Sequence, residues 1–368
     1  MLHDVKLVLE DGTELLGHGF GASAPVCGEV VFNTAMCGYL ETLTDPSYRG
    51  QILVMTYPLV GNYGVPPERP SGTLERPYES GEIQVQGLVV QNYMSDYSHH
   101  AATRSLSDWM MGQGIPGVTG IDTRALTRRL REHGTMRGWL FDGRWNLARA
   151  KREAAGVDMR EEVFQLVTPD EVSRFAGGDL DVLLIDVGAK DNIVRSLQAR
   201  GAGVIRAPWH AALPKLAEEV DGILIANGPG DPRDLGALVA DVRGLMGSFP
   251  GPIFGICLGN QVLARAAGAD TYKLSYGHRS INQPVQDLLT RRSYITSQNH
   301  GYAVSEGSLP AGWETWFVNI NDGTNEGLHC RSKPFFSVQF HPEASPGPRD
   351  TGFLFDDFLR LSGALARR

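Results

Sequence analysis

The segment Pro252-Ile-Phe-Gly-Ile-Cys-Leu-Gly259 is the most informative part of the second half of the chain. Pro252–Ile256 is a short apolar run typical of a buried parallel strand, and a helix is predicted from Leu258 to Ala267. Cys257 therefore lies at a sharp strand-to-helix turn, which needs small residues two positions to either side. The helix N-terminus behind Cys257 favours a thiolate, so the motif predicts a nucleophile. A buried structural cysteine is the alternative.

Alternating strands and helices surround this turn. Three further apolar runs are predicted as strands: Val182–Ile185, Val204–Ala207 and Gly222–Ala226. Asp191 is expected to cap a helix that ends near Arg200, before Gly201. This order predicts right-handed crossovers and a doubly wound, mostly parallel α/β sheet. Ligands of such sheets bind at the carboxyl ends of the strands.

A glycine-rich loop follows the third predicted strand, at Asn227-Gly-Pro-Gly-Asp-Pro232. Because proline has no N–H, the backbone donors of the loop are those of Gly228 and Gly230. One of them, with the N–H of Leu258, could form an oxyanion hole. Taken alone, the segment could equally be an ordinary turn.

A histidine and a glutamate follow a last predicted strand, Phe336–Gln339. His341 could act as the base for Cys257, and Glu343 could orient the imidazole. Alone, such a pair is more often a solvated loop. Since all three segments fall at strand ends that converge in a parallel sheet, their combination predicts a catalytic triad.

The first half of the chain is predicted to be a strand-rich α+β domain. Asp11-Gly12 between two apolar runs predicts a hairpin. Further strands are expected at Gly28–Asn33, Gln51–Tyr57 and Ile83–Gln91, and helices at Thr103–Met111 and Asp122–His133. Asp122 and Gly134 suit the two ends of the second helix.

Length and composition limit the classes of protein that the chain can represent. At roughly 150 residues per domain, 368 residues suggest two or three domains. We expect an N-terminal domain at 1–145, a charged and partly helical connector at 146–178, and the α/β domain at 179–368. The net charge of −8 argues against a nucleic-acid or anionic membrane surface.

Motifs for metals, nucleotides and export are not found in the sequence. Four cysteines in this length do not make a disulfide framework, and Met1–Lys6 does not resemble a signal peptide. No apolar run approaches the roughly 20 residues of a membrane helix. Without Cys-x-x-Cys, His-Glu-x-x-His or a phosphate-binding loop, we predict no metal and no nucleotide site. The sequence therefore predicts a reduced, soluble, cytoplasmic protein.

The three motifs resemble those of class I glutamine amidotransferases. Four further segments resemble the small, glutamine-hydrolysing chain of carbamoyl phosphate synthetase: Thr44–Tyr48, Gly120–Thr127, Ser297–Gly301 and His341–Pro348. This resemblance covers essentially the whole chain. It implies that Cys257 is the nucleophile, that His341 is the base and acid, and that Glu343 orients His341.

The resemblance also implies a binding site for L-glutamine. Its residues would be Ser47, Gly228, Gly230, Leu258, Gln261, Asn299, Gly301 and Tyr302. Gly230 and Leu258 would supply the amides of the oxyanion hole. Two positions depart from the family: Asn260 stands where histidine is common, and Tyr302 where phenylalanine is common. We expect altered packing at Asn260 and an intact triad.

The resemblance implies a glutaminase that works in a complex. Glutamine would be hydrolysed through a γ-glutamyl thioester, and the ammonia would pass to a large subunit. That partner would use bicarbonate and ATP to make carbamoyl phosphate for arginine and pyrimidine synthesis. No cofactor is expected in this chain; ATP and Mg are expected in the large subunit, within a heterodimer or a higher assembly. A stand-alone γ-glutamyl hydrolase and a non-catalytic regulatory subunit are the alternatives.

Overall fold

The structure is a computed structural model that describes residues 3–68, 70, 73–74 and 77–366. The chain divides into two compact units, Met1–Asp158 and Met159–Arg368. The division falls within the segment 146–178, where the sequence predicts a connector. The exact domain bounds given above stay a prediction.

The N-terminal unit is built on a closed barrel. Its strands are β1 (Asp4–Leu9), β2 (Glu14–Gly21), β3 (Val26–Asn33), β4 (Gln51–Met55), β5 (Leu59–Val60), β6 (Gly87–Val89), β7 (Asn92–Tyr93), β8 (Pro116–Thr119) and β9 (Met136–Asp142). Its helices are α1 (Tyr39–Leu43), α2 (Leu106–Gly112), α3 (Thr123–His133) and α4 (Leu147–Glu153). The barrel order is β1-β2-β8-β6-β4-β3-β9, and β5 pairs with β7.

Local sequence signals in this unit are largely confirmed. β1 and β2 form the antiparallel hairpin predicted at Asp11-Gly12. The side chain of Asp122 caps α3 by accepting from the Ala125 N–H at 2.9 Å. Some predicted bounds are wrong. The helix expected from Thr103 starts at Leu106 because Ser105 caps it, the strand expected at Gln51–Tyr57 ends at Met55, and the strand expected at Ile83–Gln91 shortens to β6.

The C-terminal unit contains a ten-stranded sheet. Its strands are β10 (Ser173–Phe175), β11 (Asp181–Asp186), β12 (Gly203–Pro208), β13 (Gly222–Ile225), β14 (Ile253–Ile256), β15 (Thr271–Asp287), β16 (Ser293–Val304), β17 (Trp313–Asn319), β18 (Asn325–Cys330) and β19 (Phe335–Val338). Its helices are α5 (Glu162–Val167), α6 (Asp191–Gln198), α7 (Leu213–Leu216), α8 (Gly236–Ser248), α9 (Leu258–Ala267) and α10 (Phe353–Ala366).

The predicted fold class of this unit is confirmed. Strands β12, β11, β13, β14 and β19 are neighbours and run parallel. The sheet continues through β18, β17, β15 and β16 as antiparallel pairs, which the sequence analysis did not place. Three of these pairs join strands that follow one another through short loops: β15 with β16, β17 with β18, and β18 with β19.

One helix cap was predicted wrongly. Lys190 occupies the N-cap of α6, and Asp191 is the first helical residue. The carboxylate of Asp191 lies 2.9 Å from Nη1 of Arg206 on β12. The side chain of Asp191, which was expected to cap the helix, therefore forms a buried ion pair instead. The helix ends at Gln198, two residues before the predicted end.

Helix α10, which was not predicted, completes the core on one face of the sheet. Phe254 of β14 stacks on Phe336 of β19 with ring centroids 4.7 Å apart. Phe355 and Phe358 of α10 pack on the same ring at 6.1 and 5.7 Å. Each fully buried phenylalanine stabilises the fold by roughly 1.5–3 kcal/mol, so this cluster fixes β14 beside β19. Among the described residues, no helix has the length and apolar character needed to cross a membrane.

Candidate active site

Cys257 sits in a strained turn between β14 and α9. Its backbone has φ 55° and ψ −104°, a conformation that residues with side chains rarely adopt. A Cβ on Gly255 would lie 2.5 Å from the Gly259 carbonyl oxygen, and one on Gly259 would lie 2.1 Å from that of Ile225. The two glycines are therefore required for the turn, as the sequence motif predicts.

We expect Gly259→Ala to damage the turn, because its Cβ meets fixed backbone at a distance that real contacts do not reach. The variant should lose several kcal/mol of stability, on the order of 2–4, by the overpacking and strain that follow. Gly244→Ala on α8 is the matched control, since no described atom lies within 4 Å of its Cβ. It should be neutral or stabilise by about 0.5–1 kcal/mol. Thermal and urea unfolding measure the stability of the two variants. Equal changes in stability for Gly259→Ala and Gly244→Ala would contradict a strained turn.

The pairing of β14 with β19 brings the predicted nucleophile and base to one edge of the sheet. Ile256 is in register with Val338, and the Cys257 N–H donates to the Val338 carbonyl at 2.8 Å. The chain then leaves β19 and reaches His341, whose N–H donates to Ser297 of β16 at 2.9 Å. Cys257 and His341 are both 2% exposed.

The His341 ring is oriented by Glu343. Nδ1 of His341 lies 2.6 Å from Oε1 of Glu343. Nε2 is buried and makes no hydrogen bond to any described residue, while the Cys257 thiol donates to the Asn299 carbonyl at 3.6 Å. The cysteine is nevertheless close enough for its charge to act on the ring. The ring therefore has a fixed orienting partner on one side and an unengaged nitrogen on the other.

The charges of neighbouring side chains determine the protonation states of His341 and Glu343. Burial lowers the pKa of His341, but the Glu343 carboxylate and then Cys257 outweigh burial and raise it to about 10. Burial raises the pKa of Glu343, whereas Lys190 and then His341 lower it to about 2. Near neutral pH the arrangement therefore holds a charged imidazolium against a carboxylate, ready to donate a proton.

Lys190 and Asn192 contact Glu343 and were missed by the sequence analysis. Nζ of Lys190 lies 3.2 Å from Oε1 of Glu343 and also donates to the Ala344 carbonyl. Asn192 donates to the backbone carbonyl of Glu343. The sequence did contain a signal for these two residues, because both follow β11 at the carboxyl edge of the parallel strands, where ligands bind. Since Lys190 is 3% exposed, removing either charge would take a close ion-pair partner from the other in a site that is buried.

The predicted oxyanion-hole donors lie at the ends of neighbouring strands. Leu258 is the first residue of α9, so its N–H has no partner one turn earlier in the helix. Gly230 has φ 84°, and a Cβ there would lie 2.8 Å from the Phe164 ring. A Cβ on Gly228 would lie 2.1 Å from the Val187 carbonyl oxygen. Larger residues would therefore displace this loop from the turn at Cys257.

The other expected glutamine contacts fall into two groups. Asn299, Gly301 and Tyr302 lie on β16, and Gln261 of α9 donates to the Tyr302 carbonyl at 2.9 Å. Ser47 lies in the N-terminal unit, buried in a short 3-10 turn in which its N–H donates to Asp45 at 2.9 Å. The expected contact of Ser47 with glutamine stays a prediction.

Among the described residues, one buried group offers three possible metal ligands. The ligand atoms of His278, His300 and Glu326 all lie within 4.8 Å of one another. The Glu326 carboxylate already accepts hydrogen bonds from Asn319 at 3.2 Å and Gln298 at 3.0 Å. The group is thus held together by its own hydrogen bonds, and the expectation that the chain binds no metal stays a prediction.

Two family models match the chain. The carbamoyl-phosphate synthase small chain, CPSase domain, matches residues 7–140, and glutamine amidotransferase class-I matches residues 183–361. The carbamoyl phosphate synthase small chain of Symbiobacterium thermophilum is 49% identical, over 96% of this chain and 97% of that protein. This chain belongs to the carbamoyl phosphate synthase small-chain family. The family predicted from the sequence motifs is therefore confirmed.

Other members of the family are longer. An arginine-specific small chain of Aspergillus fumigatus is 46% identical over 95% of this chain and 78% of that protein. The multifunctional protein pyr-3 of Neurospora crassa is 45% identical over 97% of this chain, but the match spans only 21% of that protein. The chain thus spans about a fifth of the length of such multifunctional relatives.

The two departures from the family's motifs have local explanations. The side chain of Asn260 donates to Gln339 at 3.1 Å and accepts from the Ser337 hydroxyl at 2.8 Å, so it joins α9 to β19. The Tyr302 hydroxyl donates a hydrogen bond to the Asp231 carboxylate. Burial raises the pKa of Asp231, but hydrogen bonds from Arg233 and Tyr302 lower it overall. Neither departure removes a group from the triad.

Proposed function

We propose that the chain is the glutamine-hydrolysing subunit of a carbamoyl phosphate synthase, with Cys257, His341 and Glu343 as its catalytic triad. The observation that carries the proposal is the meeting of a strained cysteine turn with a carboxylate-bound imidazole at one sheet edge. Membership of the small-chain family supports the reaction and the substrate.

The first half-reaction forms a thioester. The Cys257 sulfur attacks the side-chain amide carbon of L-glutamine, and a tetrahedral oxyanion results. The C–N bond breaks as the His341 imidazolium passes its proton to the departing nitrogen, which leaves as ammonia. The raised pKa of His341 supports this step, because the ring holds its proton until the leaving group needs it.

The second half-reaction releases glutamate. His341, now neutral, removes a proton from water, which attacks the γ-glutamyl thioester carbon through a second oxyanion. The C–S bond breaks, and the regained charge pair of Cys257 and His341 is ready for the next turnover. Glu343 keeps Nδ1 engaged throughout, so that Nε2 faces the reacting atoms.

Backbone donors would stabilise both oxyanions. The N–H groups of Leu258 and Gly230 are proposed for this role, since one starts a helix and the other follows a proline in a glycine loop. Losing one such donor typically costs about 10²–10³ in rate. L-glutamine itself would be bound by the remaining expected residues, Ser47, Gly228, Gln261, Asn299, Gly301 and Tyr302.

A large synthetase subunit is the proposed partner. It would bind ATP and Mg and would combine the ammonia with bicarbonate to yield carbamoyl phosphate, so this chain needs no cofactor of its own. The name of the arginine-specific relative supports arginine synthesis as one pathway, and pyrimidine synthesis is proposed beside it. A cytoplasmic location stays part of the proposal.

Coupling to the partner can be tested directly. Glutaminase activity of the purified chain should be low, and should rise by at least about tenfold, or 1.4 kcal/mol of barrier, when the large subunit, ATP and bicarbonate are added. Glutamate release is the measurement, and addition of ATP and bicarbonate without the partner is the control. A chain that is fully active alone would instead support a stand-alone γ-glutamyl hydrolase, and one inactive throughout would support a regulatory subunit.

A further inference from the structure

We propose that Arg206 of β12 is a positioning residue for the triad, because it holds the loop that presents Lys190 to Glu343. This loop, residues 187–190, joins β11 to α6. The inference rests on the proposed function, since it concerns how the orienting carboxylate of the triad is kept in place.

The guanidinium of Arg206 binds one carboxylate at each end of the loop. Its Nε lies 2.5 Å from Oδ2 of Asp186, the last residue of β11. Its Nη1 donates to Oδ1 of Asp191, the first residue of α6, at 2.9 Å. Both aspartates are buried, with exposures of 0% and 1%. Because the donors of a guanidinium are fixed in one plane, this arginine sets the spacing between the strand end and the helix start.

The backbone of the loop is held at the same end. Oδ1 of Asp186 accepts from the N–H groups of Gly188 and Ala189, both at 2.7 Å. Asn227, which follows β13, adds a second support. Its Oδ1 accepts from the Lys190 N–H at 3.0 Å, and its Nδ2 donates to the Gly188 carbonyl at 3.0 Å. The backbone that leads into Lys190 is therefore fixed by buried hydrogen bonds on two sides.

The position of this backbone decides where the Lys190 ammonium lies. A lysine ammonium is carried on a flexible four-carbon stem, so its place depends on where the stem begins. Nζ of Lys190 lies 3.2 Å from Oε1 of Glu343, and the neighbouring Asn192 donates to the Glu343 backbone carbonyl. A shift of the loop would therefore disturb both contacts. Glu343 would then be less well placed to orient His341.

The test is Arg206→Met in the full chain, assayed with the large subunit, ATP and bicarbonate. We expect kcat for glutamine hydrolysis to fall by about tenfold, the net effect of one hydrogen bond to a charged group, with KM within about threefold of wild type. The matched control is Arg174→Met. Arg174 lies on neighbouring β10 and pairs with the exposed Glu219 at 2.8 Å, so both constants should stay unchanged. Glutamate release over a range of glutamine concentrations gives both constants.

A double-mutant cycle separates positioning from general damage. Lys190→Met alone should lower kcat. Adding Arg206→Met to it should lower kcat by no more than about twofold further, because the group that the arginine positions is absent. An arginine with a purely structural role would instead cost the same factor in both backgrounds.

Removing Arg206 takes the cation from two buried carboxylates, so the folding of each variant is checked by circular dichroism and thermal unfolding. If Arg206→Met is unfolded, Arg206→Lys takes its place. The lysine keeps a positive charge beside the carboxylates but cannot span them, so the same fall in kcat is expected.

An unchanged kcat in the folded variant, a rise in KM alone, or equal losses in both backgrounds would overturn the inference. Failure of the proposed function looks different. Wild-type chain that does not hydrolyse glutamine with its partner fails the proposed function, whereas normal wild-type activity with an unaffected variant fails this inference alone.

Discussion

Cys257→Ser is expected to abolish glutamine-dependent carbamoyl phosphate synthesis while ammonia-dependent synthesis by the complex survives. A serine hydroxyl at neutral pH is a much weaker nucleophile than a cysteine beside an imidazolium, so glutamine hydrolysis should fall by roughly 10⁴-fold or more. In the proposed reaction the large subunit uses ammonia, and this sulfur takes no part in that step. Carbamoyl phosphate formation is measured with glutamine and then with ammonium as the nitrogen source.

Cys330→Ser is the matched control for this prediction. Cys330 lies at the end of β18 in the same unit, half-exposed, with its sulfur 3.6 Å from the Ser332 hydroxyl. It should keep both activities. Loss of both glutamine- and ammonia-dependent synthesis in Cys257→Ser would indicate a structural role for the cysteine. Retention of glutamine-dependent synthesis would exclude Cys257 as the nucleophile.

The second large effect concerns His341 and its orienting partner. His341→Asn should reduce kcat for glutamine hydrolysis by roughly 10⁶-fold, and Glu343→Gln by roughly 10⁴-fold, as for the base and the orienting residue of other triads. Asparagine cannot carry the proton to the leaving ammonia, whereas Glu343→Gln keeps the imidazole and loses only its charge partner. The reverse order of these losses would show that the two roles are wrongly assigned.

The pH profile separates the role of Glu343 from general damage. Because Glu343 raises the pKa of His341, activity should persist above pH 6.5, the ordinary titration range of histidine, and decline only as the ring loses its proton. Glu343→Gln removes the main cause of that rise, so the alkaline limb of kcat/KM should move to lower pH. Glu314→Gln, at an exposed ion pair of β17, should not move it.

Glu343 depends on a third charge that lies far away in the sequence. Lys190 precedes it by 153 residues, yet its ammonium group is next to the carboxylate and nearly as buried. Both Lys190 and His341 lower the pKa of Glu343. The carboxylate thus stays ionised in a site where burial alone would favour its neutral form, and the imidazolium keeps its counter-ion.

Features that depend on neighbouring residues could be predicted from the chain before its structure was known. Gly255 and Gly259 predict the turn at Cys257 because each lies against backbone that no Cβ could share. Asp11-Gly12 predicts a hairpin and Asp122 a helix start for similarly local reasons. Family motifs add the roles that we propose for His341 and Glu343. These signals span only a few residues, because backbone conformation and helix capping depend on neighbours in the sequence.

The pairing of side chains that are distant in the sequence could not be predicted and depends on the complete fold. The positions of Lys190 beside Glu343, of Asp191 beside Arg206, and of Gln298 beside Glu326 carry no local motif. Each pair joins separate strands or loops, and each is fixed because burial removes water and leaves the partner as the remaining source of hydrogen bonds. A carboxylate or amide in the sequence does not reveal its burial, since burial depends on how strands far apart in the chain pair into one sheet.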